Sequence, residues 1–212
     1  MTGETDRPVE WLGAPGSVLA IISGPSGVGK DTIIQTLRDR KTGTNYHFVV
    51  TCTTRARRPG EVDGESYHFV TRDRFAVMRE RGELLEANQV HDQWYGTPRE
   101  QVGMALAAGR DIILKIDVQG AQAVKGAVPD ALLIFIVPPS MEALFQRLRS
   151  RATETADELE LRQRNAAIEL ARQGDYDHVV VNETGQVDRT AAEIEALIAQ
   201  EKRRHPDRRV RV

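Results

Sequence analysis

Hydrophobic positions along this chain follow two rhythms, and their order outlines a fold. Residues 17–23 (SVLAIIS) form a short apolar run rich in β-branched side chains, the pattern of a buried strand. Glycines break it over residues 24–29. Across residues 30–40, Ile33, Ile34 and Leu37 recur at helical spacing. The chain therefore opens as strand, glycine loop, helix. Residues 46–54 and 66–70 read as strands, separated by a charged stretch at 55–64 that contains Gly and Pro. Thr71 is placed to cap a helix whose Phe75 and Met78 share one face. Residues 84–90 read as another strand. A helix is expected between Arg99 and Ala108, ended by Gly109. This middle region lacks the strand–helix alternation of its flanks, so residues 49–105 are read as an inserted lobe.

Alternation then resumes. Residues 111–117 (DIILKID) form a strand that ends in an acid. Residues 131–137 (ALLIFIV) are apolar throughout, as in a parallel strand covered on both faces. Pro138 and Pro139 end that strand, and Ser140 opens a helix carrying Leu144 and Leu148. Thr155, Ala156, Asp157 and Glu158 spell a capping box before a second, highly charged helix. Residues 178–181 give a last short strand. Val187, Ala191, Ile194, Leu197 and Ile198 then mark an amphipathic helix. The pattern predicts an α/β core with a parallel sheet.

Composition narrows the function. The chain has 212 residues, 40% apolar and 28% charged, enough for one core with inserted lobes. Its single cysteine, Cys52, permits no intrachain disulfide and reads as a buried filler, which fits a reducing, cytoplasmic address. A formal net charge of −2 argues against a general nucleic-acid binder. No apolar run approaches the roughly 18 residues of a membrane span. Residues 1–16 are polar, with Pro8 and Pro15, and lack the pattern of a secretion signal or transit peptide. They are expected to form a flexible arm whose Trp11 and Leu12 dock on the core. Residues 203–212 are expected to form a basic, solvated tail.

The loop carries the first chemistry. Gly24, Pro25, Ser26, Gly27, Val28, Gly29 and Lys30 match G-x-x-x-x-G-K, a P-loop. Its glycines let several backbone N–H groups turn toward one anion, and the next helix adds its positive end. Lys30 carries a charge that can reach outer phosphates. The following position is usually Ser or Thr, which helps hold Mg²⁺. Here it is Asp31, with Thr32 behind it. Either side chain is a candidate for the ion, Asp31 through water. Asp117, at the end of a second strand, is a third candidate for an indirect metal contact.

Residues 51–70 (TCTTRARRPGEVDGESYHFV) closely resemble the GMP-binding signature of the guanylate kinase family. The likeness continues through Leu84-Leu85-Glu86, Trp94-Tyr95-Gly96-Thr97-Pro98, 117–121 (DVQGA) and 151–155 (RATET), and spans about residues 18–201. It implies a P-loop core of three layers (17–48, 106–144 and 167–202). It also implies a GMP-binding lobe at 49–105 with a small mixed sheet, and a helical lid at 145–166. The implied activity is transfer of the γ-phosphoryl of ATP to GMP or dGMP, with Mg²⁺, by a monomer or homodimer.

The implied roles suit the chemistry. A nucleotide phosphate is a dianion that arginine forks and hydroxyls can hold, and Thr51, Arg55, Arg58, Tyr67 and Tyr95 match the family's contacts. Guanine offers two adjacent N–H donors, which the carboxylate of Glu86 can accept, while Thr97 can donate to its carbonyl. Adenine lacks the ring N–H and would leave Glu86 facing an acceptor. Glu61 is assigned to positioning an arginine or the base, and Asp117 is counted with the substrate contacts. In the lid, Arg151 and Arg162 align with arginines that reach the transferring phosphates, and Gln163 and Arg164 are expected beside ATP. Lys30, Arg58, Arg151 and Arg162 form the expected catalytic set.

Three features depart from the family pattern. Lys115 stands where many members carry an acid, Asp92-Gln93 where Gly-Asn is frequent, and Ser66 where Asp is frequent. Two other functions remain open at this point. One is a non-catalytic, guanylate-kinase-like module that binds phosphopeptides. The other is a P-loop kinase for a different phosphorylated acceptor, such as ribose 1,5-bisphosphate.

Overall fold

The computed structural model describes residues 10–40, 44–90, 92–149 and 156–212. Five strands form a parallel sheet in the order β2-β7-β1-β8-β9. They are β1 (Leu19–Ser23), β2 (Tyr46–Phe48), β7 (Asp111–Lys115), β8 (Leu132–Val137) and β9 (His178–Val181). Every residue of β1 is buried, and its two faces serve two layers. Ala20 and Ile22 pack with Ile33 and Leu37 of α1 (Lys30–Asp39) and with Ile194 and Ile198 of α7 (Val187–Arg204). Leu19 and Ile21 pack with Val102 and Leu106 of α3 (Arg99–Ala107) and with Val124 of α4 (Val118–Ala127). Period-two alternation on a central strand thus builds the three-layer core.

The inserted region forms its own four-stranded sheet in the order β4-β3-β6-β5. Its strands are β3 (Cys52–Thr53), β4 (His68–Phe69), β5 (Leu84–Val90) and β6 (Gln93–Pro98). β3 runs parallel to β4 and antiparallel to β6, so the sheet is mixed. Phe75 and Met78 of α2 (Arg72–Glu80) join Cys52 and Leu84 in a small core beneath it. Thr71 caps α2 by accepting the Arg74 backbone N–H at 3.1 Å. Cys52 is buried, and desolvation pushes its thiol up to about 12, in keeping with a filler. Beyond the sheets, α5 (Met141–Arg149) and α6 (Ala156–Leu170) share a separate cluster of Leu144, Leu148 and Ala166.

Four features depart from the sequence reading. The strand expected at 46–54 is two strands in two different sheets, with residues 49–51 making the crossing. β6 and α4 were not anticipated. β6 reads QWYGTP, with a glycine and a proline, and α4 holds two glycines, so neither shows a clean period. Asp117 does not end a strand. It is the N-cap of α4, accepting the Gly120 N–H at 2.8 Å.

The termini differ too. Residues 10–16 are not a flexible arm, and 203–212 are not a solvated tail. Trp11 and Val212 exchange backbone hydrogen bonds of 2.8 and 2.9 Å, and Gly13 donates to Val210 O at 2.8 Å. Val210 and Val212 are buried, which is worth about 1.5–3 kcal/mol for each fully buried valine. Trp11 docks over Gly103, where an added Cβ would sit 2.1 Å from the indole, whereas Leu12 faces outward. The alternation Val210-Arg211-Val212 was the available signal, but three residues are too few to outweigh five arginines in the tail.

Candidate functional site

The P-loop joins the central strand β1 to α1, at the carboxyl end of the parallel sheet where ligands of such folds gather. Gly24 adopts φ 141°, and a Cβ there would stand 2.3 Å from Ile136 O, so only glycine fits. The loop is braced from behind. Asn182 Nδ2 donates to Val28 O at 2.8 Å, and Arg147 donates to the same oxygen at 3.2 Å. Lys30 Nζ folds back onto Gly24 O and Pro25 O. Burial lowers its pKa to about 8, against the pull of Glu169 and Asp31.

A cavity of about 550 Å³ opens in front of the loop. A second, of about 420 Å³, adjoins it. Asp31, Thr51, Tyr67 and Lys115 line both, so they mark the junction. The first cavity takes in Ser26, Lys30, Glu86, Tyr95, Asp117 and Arg162. The second takes in Arg55, Arg58 and Glu61.

Glu86 lies on β5 and is only 7% exposed. Thr97 donates its hydroxyl proton to Oε1 at 2.7 Å, and Asn88 Nδ2 donates to Oε2 at 2.6 Å. Desolvation still raises its pKa to about 7, with Asp117 adding repulsion and the Thr97 hydrogen bond opposing. Thr97 is fully buried and its one proton is committed to Glu86. In this structure Thr97 therefore orients Glu86.

In the second cavity, Glu61 grips Arg55 with a two-pronged ion pair at 2.7 and 2.9 Å. It also accepts the Arg58 backbone N–H at 2.7 Å. Arg55 stacks over Tyr67 at 5.3 Å and Phe69 at 5.7 Å. The Glu61 hydrogen bond raises Arg55's pKa further, so its charge is permanent. Of the two options for Glu61, the fold chooses the arginine.

On α6, Arg162 donates to Ser26 Oγ at 2.9 Å, and Glu169 accepts the Ser26 N–H at 3.2 Å. Arg162, Asn165, Ile168 and Glu169 present one face of that helix to the cavity. Gln163 and Arg164 do not line it, and Arg164 is bonded to Glu160 instead. A step of one or two residues turns both side chains off the face that lines this cavity. Thr32 is exposed and lines neither cavity. Arg151 and the capping box at Thr155 lie outside the described residues. Asn88, Glu169 and Asn165 were not picked out from sequence. The spacing 162, 165, 169 was the usable clue.

No helix among the described residues is long and apolar enough to cross a membrane. Nor do they contain a group of three or more His, Cys, Asp or Glu side chains arranged as a metal cage.

A phosphate-holding loop beside a carboxylate and an arginine cluster defines a P-loop kinase acting on a phosphorylated acceptor. The guanylate kinase family model matches residues 17–201. Guanylate kinase 2, chloroplastic/mitochondrial, of Oryza sativa is 44% identical over 93% of this chain and 69% of its own length. The guanylate kinase of Mycobacterium bovis is 44% identical over 88% of this chain and 89% of its own. The crystal structure of the Anaplasma phagocytophilum guanylate kinase superimposes with a TM-score of 0.73 at 32% identity, covering 90% and 88% of the two chains. The chain belongs to the guanylate kinase family.

Proposed function

We propose that this protein transfers the γ-phosphoryl of ATP to GMP, giving ADP and GDP. One observation carries the reading. A buried carboxylate, Glu86, and the Arg55–Arg58–Tyr67 cluster face adjoining cavities, the first of which opens on the phosphate loop and meets the second at Asp31, Thr51, Tyr67 and Lys115. In this reading the loop from Gly24 to Lys30 and Arg162 hold the ATP phosphates. Glu86 accepts the two N–H groups of guanine. Arg55, Arg58, Tyr67, Tyr95 and Thr51 hold the acceptor phosphate, with Glu61 fixing Arg55.

The acceptor needs little activation. A nucleotide phosphate has its second pKa near 6, so the attacking oxygen is already ionised at neutral pH. The barrier comes from two anions in line and the charge on the group in flight. Fixed cations in a dry site lower it. Lys30, Arg58 and Arg162 supply them in this reading, joined by Arg151.

The donor set fits Mg²⁺ held mainly by nucleotide phosphates and waters, because Asp31 and Asp117 both line the first cavity as outer carboxylates. When bound, that ion neutralises phosphate charge. Thr32 is left out of this role by its position.

Residues 49–105 act as the acceptor lobe, and the lid spans 145–166. Both close to exclude water once the substrates are bound. dGMP serves as a second acceptor. The enzyme works in the cytoplasm as a monomer or homodimer, and neither nucleic acid nor membrane takes part.

A coupled ADP-release assay across GMP, dGMP, AMP, CMP, UMP and ribose 1,5-bisphosphate tests this. GMP should exceed AMP by a factor on the order of 10⁴. Turnover with ribose 1,5-bisphosphate alone, or phosphopeptide binding without turnover, would replace the reading.

A further inference from the structure

Lys115 is the last residue of β7, in register with Ile22 of the central strand. Its ammonium is bound to Asp31, sits 5.8 Å from the Tyr67 ring centroid, and lines both cavities. It therefore stands where the loop's cavity meets the arginine cavity. Its Asp31 partner is 74% exposed, whereas Lys115 is 28% exposed. An ion pair with so exposed a partner adds little to stability, so the fold does not need the charge at that place. Lys30 feels the charge of Lys115 as well.

We propose that Lys115 is a further catalytic residue, a cation fixed to the core sheet that leaves Asp31 to bind the acceptor phosphate and the phosphoryl group in transit. This deepens the GMP-kinase reading and rests on it. An acceptor oxygen gives an electron pair to the γ-phosphorus. The bond from that phosphorus to the β-bridging oxygen breaks, and its electron pair stays on ADP. No proton moves. Negative charge passes from donor to acceptor across the junction, and Lys115 is rooted there in the parallel sheet. Arg55 and Arg58 line the second cavity from the inserted lobe, and Arg162 lines the first from α6. An ammonium on the sheet stays in position whether or not those parts close. The resemblance places an acid at this position in many members of the family, where this chain carries a lysine.

The test compares wild type with Lys115→Met and Lys115→Arg, and with the double variant Asp31→Ser/Lys115→Met. Turnover is measured by ADP release, and GMP and guanosine binding by calorimetry. Lys115→Met should lose about 100-fold in kcat and about tenfold in GMP affinity, with guanosine affinity unchanged. Lys115→Arg should recover part of both, and the double variant should stay low. Loss of less than threefold in kcat and GMP affinity would overturn the proposal. So would a double variant with wild-type turnover, because Lys115 would then serve only to neutralise Asp31. Guanosine binding reports that the variant is folded; should Lys115→Met lose it, Lys115→Gln is read by the same criteria. A wild type without GMP-dependent ADP release would remove the underlying reading. An active wild type with an undiminished variant would remove only Lys115.

Discussion

The loop at residues 24–30 and the pocket around Glu86 solve opposite problems. The loop is built from backbone. Its shape depends on a glycine that no other residue can replace, and Asn182 and Arg147 brace it from the core. Backbone N–H groups suit any triphosphate, so such a loop holds phosphate without reading a base. The acceptor pocket is built from side chains on a small sheet with a small core of its own. Its central group is a nearly buried carboxylate that burial pushes up to about 7. The pocket carries an electrostatic cost that the loop avoids, and in return it can discriminate.

The largest effect should come on the loop side. Lys30→Met is expected to lower kcat by about 10³-fold, the upper range for losing one fixed charge-stabilising donor. GMP binding by calorimetry should hold within about twofold. A large loss of GMP affinity would mean that the two regions are not separable.

Glu86→Gln should cost about 10²-fold in kcat/KM for GMP and narrow the gap to AMP. The same change should stabilise the folded protein at pH 8. The folded pKa of about 7 lies above the unfolded 4.5, so the neutral form is favoured in the fold. That support is complete below pH 4.5 and is lost as pH rises through 7, reaching about 3 kcal/mol. Thermal melts at pH 5 and pH 8 should therefore separate wild type from variant only at the higher pH. Guanosine, which has no phosphate, isolates the same group. Its affinity should fall as pH drops below 7 and should be flat in the variant.

Glu61→Ala frees Arg55 from its two-pronged grip. The expected result is a GMP KM raised about tenfold, with a smaller loss in kcat, read by steady-state kinetics. An unchanged KM would show that Arg55 holds its place by stacking on Tyr67 and Phe69 alone. The smallest effect belongs to Glu169. Its carboxylate occupies the Ser26 N–H, which an ATP phosphate would need, and Lys30 feels its charge. Glu169→Gln should tighten ATP binding a few-fold by calorimetry, because a neutral amide competes less well with phosphate. Weaker ATP binding would mean that Glu169 shapes the loop rather than blocking it.

The sequence exposed the loop region almost completely. A fully buried strand, a glycine run and an amphipathic helix each follow a short-range rule, and together they placed β1, the P-loop and α1. The acceptor region was harder to read. The stretch 46–54 looked like one strand because it is uniformly suited to extended backbone. Only pairing with β7 on one side and β6 on the other divided it between two sheets. β6 carried no period, yet it brings Tyr95 and Thr97 to the site. Thr97 was recognised as a site residue, but the direction of its hydrogen bond depended on a strand pairing that sets Glu86 opposite it.

By itself the sequence determined the order of core elements and the phosphate loop, because those rest on local periodicity and glycine conformation, while resemblance to the family pointed to Glu86 and the arginines. Only the tertiary structure decided which partners those groups take. It paired Glu61 with Arg55, Thr97 with Glu86, Asp31 with Lys115, and residues 11–13 with 210–212. The physical reason is that an ion pair or a strand bridge depends on angles and distances between chain segments far apart in sequence, and these exist only once the core sheet has formed.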